Sequence, residues 1–129
     1  MPTLHFLREL VRAHLRSDWV SKRNVAVSYA LGEGIRKNEA RARLWYTRAT
    51  ASGDESALYD LGMMLLEGEG GAKDEPRGQA LLLEAAALGD AMAQKVLSYA
   101  YRDGAWGFRT DPTQAEHWRN LALEQGMQL

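Results

Sequence analysis

Apolar residues in this chain recur at helical spacing in short blocks, and polar, glycine-rich loops separate the blocks. In "DESALYDLGMMLLE" the apolar positions are Ala57, Leu58, Leu61, Leu65 and Leu66. Steps of three and four residues mark one face of a helix. The loop "GEGGAKDEP" follows, and then a second block that holds Leu81, Leu82, Ala85 and Ala86. Asp74 predicts the start of this second helix, because a short carboxylate accepts from the free N–H groups of a first turn. Pro76 falls in that turn, where proline sacrifices no hydrogen bond. Gly89 predicts the end, since glycine caps helices in the left-handed conformation. The stretch reads as helix, loop, helix.

The design is written three times. Gly32, Gly68 and Gly104 are 36 residues apart. Gly53, Gly89 and Gly126 are spaced 36 and 37, and Gly34, Gly70 and Gly107 precede them by 19 in each case. One residue inserted near Ala105–Trp106 explains the odd interval. Val25, Leu61 and Leu97 keep the same register, as do the small residues Ala26, Gly62 and Ser98. Trp45, Leu81 and Trp118 match, as do Ala49, Ala85 and Ala122, and the cap residues Asn38, Asp74 and Asp111. Periods of roughly 20–50 residues mark stacked repeat architectures. No such unit buries its apolar face alone, so stacking supplies the core.

The expected fold is all-α: an α/α solenoid, a right-handed superhelix of about three and a half helix-turn-helix repeats, forming a single domain over residues 1–129. The units span 18–53, 54–89 and 90–126. Residues 2–16 read as a lone second helix that caps the N-terminal end, with Ala13 lying 36 residues before Ala49. No polar capping helix follows the last unit, so the C-terminal end is a contact for a homodimer or is polar enough on its outer face. Gly71 and Gly78 occur in the second unit alone, which places the least rigid helix there.

Composition narrows the function. A chain of 129 residues, 46% hydrophobic and 26% charged, is ordinary globular chemistry. A net charge of −1 gives no basic excess for nucleic acid or an anionic membrane. The absence of cysteine excludes disulfides, thiolate nucleophiles and cysteine-based zinc sites. It also fits a reducing cytosol. Arg8, Glu9 and Arg12 interrupt the N-terminal apolar residues, which argues against a secretory signal. No apolar run reaches the roughly 18 residues of a membrane span. The expectation is a cytoplasmic protein.

Candidate chemistry is sparse. The glycine loops lack the G-x-x-x-x-G-K-[ST] pattern after a strand that cradles phosphate, since Lys73 is followed by Asp74. His5, His14 and His117 form no pair with metal-ligand spacing. Glu67, Glu69, Asp74 and Glu75 are close in sequence, but Asp74 is better used as a cap than in a glycosidase pair. None of the serines sits in a G-x-S-x-G elbow. Arg36, Lys37, Arg41, Arg43 and Arg48 form the densest basic group, read as a solvated helix face or a face for an acidic partner. No catalytic, cofactor or metal residue is assigned, and the chain is not expected to be an enzyme.

The positions Ala57, Leu61, Gly62, Leu65, Gly68, Gly70, Asp74, Leu81, Leu82, Ala85, Ala86 and Gly89, with the aromatic pair Trp45–Tyr46 in the first unit, resemble Sel-one-like repeats, relatives of the tetratricopeptide repeat. The period and the G-x-G loop favour this family over ordinary tetratricopeptide repeats. Gly78 departs from it, where alanine is usual. The resemblance implies a bacterial-style adaptor or scaffold that binds a protein or peptide on its concave face. The lining positions it implies are Arg23, Val27 and Ala30, then Ser56, Tyr59, Met63 and Leu66, then Met92, Lys95, Tyr99 and Arg102. Tyr, Met and Arg are residue types enriched at interfaces. The competing role for Tyr59, Met63 and Tyr99 is lateral packing between first helices. The alternatives in function are a dedicated inhibitor, such as an immunity protein against one toxin, and a small-ligand binder or hydrolase.

Overall fold

The structure, a computed structural model, describes residues 1–15 and 19–129, with Trp19 described by its backbone alone. Its α-helices are α1 (Leu4–Leu15), α2 (Trp19–Leu31), α3 (Glu39–Ala51), α4 (Ala57–Glu67), α5 (Glu75–Ala87), α6 (Ala91–Asp103) and α7 (Pro112–Glu124). A short 3-10 turn covers Ala105–Gly107, and no strand occurs among the described residues. The closest packing is within the pairs α2–α3, α4–α5 and α6–α7, while α3 on α4 and α5 on α6 join one pair to the next. α1 packs on α2 as an unpaired helix. The molecule is an α/α solenoid. The expected boundaries at residues 16 and 18 lie outside the described residues.

Local chemistry sets the helix limits. The side chains of Asn38, Asp74 and Asp111 accept from the backbone N–H of Arg41 (3.0 Å), Arg77 (3.2 Å) and Gln114 (3.1 Å). Each such cap is worth about 1 kcal/mol. Asp90 caps α6 in the same way, through Ala93 N–H at 3.0 Å. Gly53, Gly89 and Gly126, just past the second helices, have φ of 99°, 98° and 82°, the left-handed exit expected of them. The inserted residue of the third unit appears as Trp106, which takes the left-handed φ of 50°. Its carbonyl accepts from Gln79 Nε2 at 2.6 Å.

The glycine loops do more than reverse the chain. Each rests on the start of the second helix of the preceding unit, or on α1. Gly34 O accepts from Thr3 N–H at 2.7 Å. A Cβ on Gly70 would lie 2.8 Å from the Glu39 carbonyl carbon and 3.2 Å from Ala40 N. A Cβ on Gly107 would lie 2.8 Å from Gln79 Nε2. Arg43 fastens the second joint by donating to Ala72 O at 2.7 Å. The loops are joints between units, and glycine is needed where two backbones meet.

Small residues also set the closest helix crossing. Gly62 of α4 and Gly78 of α5 face each other: a Cβ on Gly78 would lie 2.7 Å from Leu66 Cγ and 3.0 Å from Gly62 O. The looseness expected at Gly78 therefore meets the opposite geometry. The missing side chain is the space that Leu66 fills. The buried residues form two clusters. One gathers Phe6, Val25, Tyr29, Trp45, Tyr46, Leu61 and Leu65 around α1 to α4. The other gathers Leu58, Leu66, Leu82, Leu97, Phe108 and Trp118 around α4 to α7. Leu81 touches both, so α5 bridges them. Full burial of each large apolar side chain contributes about 1.5–3 kcal/mol, which is why the stack holds only as a whole.

Candidate partner-binding grooves

The expected lining residues separate into two grooves. Val27 and Ala30 of α2 and Met63 of α4 line one, with Leu31, Lys37, Glu39, Tyr46, Asp60, Met64 and Glu69; its volume is about 510 Å³. Tyr99 and Arg102 of α6 line another, also about 510 Å³, with Ser98 and the α7 residues Pro112, Ala115, Glu116 and Arg119. Both volumes lie in the range of about 300–1,000 Å³ typical of ligand sites. Leu66 lines neither. It is fully buried, because Gly78 leaves room for it in the core, so it is withdrawn from the partner-facing set.

The other expected residues have local work to do. Tyr59 is half-buried against the second cluster. Ser56 donates its hydroxyl to Asp54 at 2.6 Å. Arg23 Nε stands 3.7 Å from the buried Asp54 Oδ2, too far for a hydrogen bond. Met92 is exposed. Lys95 is half-buried, and its carbonyl accepts from Ser98 Oγ at 2.6 Å. Arg102 lies over the Tyr99 ring at 4.9 Å and pairs with Asp103 at 2.8 Å, so one of the two cations of the second groove is already engaged; the other is Arg119.

The basic group of the first unit is also occupied. Arg48 covers the Trp45 ring at 4.7 Å, and Arg41 lies over Tyr29 at 5.8 Å. Arg43 serves the loop joint. Arg41 and Arg48 lay their side chains over aromatic rings, as long cationic residues do, so part of the group is engaged within the molecule. Among the described residues no group of three or more His, Asp or Glu is placed to hold a metal ion. No helix among them is long and apolar enough to cross a membrane.

Asp60 is the residue the sequence did not single out. It lies on α4 at the floor of the first groove. Burial pushes its pKa from 3.8 up to about 6; Arg23 pulls it down, while Asp90 and Asp54 push it further up. Burial, with Asp60 close by, also raises the Tyr46 and Tyr59 phenols. At the groove rim, Glu67 raises the pKa of Glu69 by hydrogen bonding to it. The folded chain therefore holds a proton on Asp60 between about pH 4 and pH 6, where the unfolded chain has released it. Stability from this group is present below the ordinary carboxylate pKa and is lost as pH rises through about 6. Asp60→Asn is expected to raise the unfolding free energy by about 1–2 kcal/mol near pH 7.5 and to change it little near pH 3.5. Urea titrations at the two pH values check this. The same gain at both, or none at either, would contradict a desolvated carboxylate.

Stacked helix pairs, each turning through a glycine loop, define a helical-repeat solenoid. The family model described as Sel1 repeat matches residues 20–54, 55–90 and 91–127. The chain belongs to the Sel1 repeat family. Members of this family are generally protein-interaction scaffolds. Among solved structures, it is similar to a Sel1 repeat protein from Oxalobacter formigenes, with TM-score 0.82 and 26% identity over 96% of this chain and 49% of that one. It is also similar to c5321, a protective antigen of uropathogenic Escherichia coli with an SLR fold, with TM-score 0.80 and 26% identity over 86% of this chain and 24% of that one. The chain thus spans about half of the first relative and about a quarter of the second. No curated protein matches it.

Proposed function

We propose that the chain is a non-catalytic adaptor that docks a segment of a partner protein in the groove between α2 and α4. The observation that carries this reading is the meeting of Val27, Ala30 and Met63 in one open groove. Two consecutive first helices supply these residues, and each packs partly against a core cluster while also lining the groove. Membership of an interaction-scaffold family supports the reading. The second groove is the weaker candidate, because its helical lining comes from one unit, α6 with α7, and does not join two consecutive first helices. The proposed setting is the cytoplasm.

The test is selection of binders from a phage-displayed library of random peptides against the full chain, followed by calorimetry with an enriched peptide. Val27→Glu with Met63→Glu is expected to weaken binding at least about tenfold, a loss of about 1.4 kcal/mol, with helical circular dichroism unchanged. Tyr99→Ala with Arg102→Ala is expected to leave binding intact. The reverse pattern would move the site to α6 and α7 and overturn the proposal.

A further inference from the structure

The repeat register shows what the first groove is built to receive. Asn24, Asp60 and Val96 occupy the same position in the three units, 36 residues apart. The fold accepts an amide, an acid or an aliphatic group there, so stacking does not demand a carboxylate. In the first unit Asn24 donates to Glu9 Oε2 at 3.0 Å and is satisfied within the molecule. In the second unit Asp60 has no hydrogen bond or ion pair among the described residues; the one cation nearby, Arg23, is set against Asp54. Its carboxylate instead meets the groove, where Glu39 and Glu69 add negative charge. Lys37 is the only cation of the lining and is held by Glu39 at 3.5 Å. Around these charges stand Val27, Ala30, Leu31 and Met63.

An apolar wall with a half-buried acid at its floor is complementary to a side chain with an aliphatic stem and a cationic head. Resting on the groove assignment above, we infer that the partner segment is a peptide that inserts an arginine or lysine between α2 and α4. Its stem lies on Val27 and Met63, and its head pairs with Asp60. The residue next to it is apolar and covers Leu31 and Ala30. Bringing a cation to Asp60 offsets the desolvation that burial imposes on it. Glu39 and Glu69, which line the same groove, disfavour an acidic peptide there. As pH falls towards 5, protonation of Asp60 removes the pairing charge. Arg23, Asp54, Asp90 and Tyr46 from other parts of the fold, and Tyr59 from α4 itself, interact with Asp60, and Arg23 alone among them carries positive charge.

The experiment uses peptides enriched by the same selection against the full chain. Enriched sequences are expected to share an arginine or lysine beside an apolar residue. An enriched peptide and its citrulline or norleucine version, neutral replacements for arginine and lysine, are then titrated into wild type and Asp60→Asn. Wild type is expected to prefer the cationic peptide at least about tenfold, the scale of a charged hydrogen bond. Asp60→Asn should lose that preference while binding the neutral peptide as wild type does. The preference should also shrink as pH is lowered from about 7.5 to 5. If binding needs Val27 and Met63 but shows no charge preference, or survives Asp60→Asn undiminished, the cationic assignment is overturned and the groove stands. If neither groove variant affects binding, or no peptide is enriched, both fail.

Discussion

Gly78→Ala is expected to destabilise the chain by about 1–3 kcal/mol. The direction is the informative part. In an ordinary helix interior the same change stabilises by about 0.5–1 kcal/mol, because alanine loses less backbone freedom on folding. Here the new methyl would lie 2.7 Å from Leu66 Cγ, 2.8 Å from Leu66 Cδ2 and 3.0 Å from Gly62 O. Leu66 is fully buried, so its branched end cannot swing out to solvent to make room. The gain in propensity is real, but overpacking is larger. Leu66→Ala alone should cost about 2–5 kcal/mol through the cavity it leaves. Combined with Gly78→Ala, it should cost less than the sum of the two single changes, since each relieves the other. Urea unfolding of the four proteins of this cycle measures the coupling. A stabilising Gly78→Ala would restore the picture of a loose α5.

The second large effect is at the loop joint. Gly70→Ala is expected to cost about 3 kcal/mol or more. Its φ of 72° is left-handed, which alone costs a side chain about 1–2 kcal/mol. The Cβ would also meet the backbone of Glu39 and Ala40, and backbone at a helix start cannot step aside without uncapping α3. Gly34→Ala provides the comparison. It has a similar φ of 75°, but the nearest atoms to its Cβ would be the side chain of Thr3, which can rotate at the expense of the 3.2 Å hydrogen bond it accepts from Phe6 N–H. It should cost about 1–2 kcal/mol. Thermal or urea unfolding ranks the two. Equal losses would mean that the left-handed turn matters and the joint between units does not.

These two sites show what the sequence makes legible. The 36-residue register of glycines, caps and small residues announces helix pairs and their stacking, because each of those signals is local or periodic. It does not show that Gly70 rests on Glu39, some thirty residues upstream, since only the stacked fold brings them together. Leu66 illustrates a second limit. Its place beside the Leu61–Gly62 pair suggests a groove position. Its actual burial depends on the absence of a side chain at Gly78, on the facing helix. Asp60 illustrates a third. On the helix it is one more polar residue. Its weight emerges only when Asn24 and Val96 are set in the same register and the groove closes around it. Met63 was legible as an apolar residue outside the repeat's core pattern, and Val27 through the family resemblance; that both also pack partly against the core clusters appears only in the fold.

Whether the groove between α2 and α4 receives the partner is decided by titrating the isotope-labelled chain with an enriched peptide and following backbone amide shifts by NMR. Saturable shifts are expected at Val27, Ala30 and Leu31 on α2 and from Asp60 to Met64 on α4, with α6 and α7 undisturbed. Shifts concentrated on Tyr99, Arg102 and α7, with α2 and α4 unchanged, would contradict this assignment.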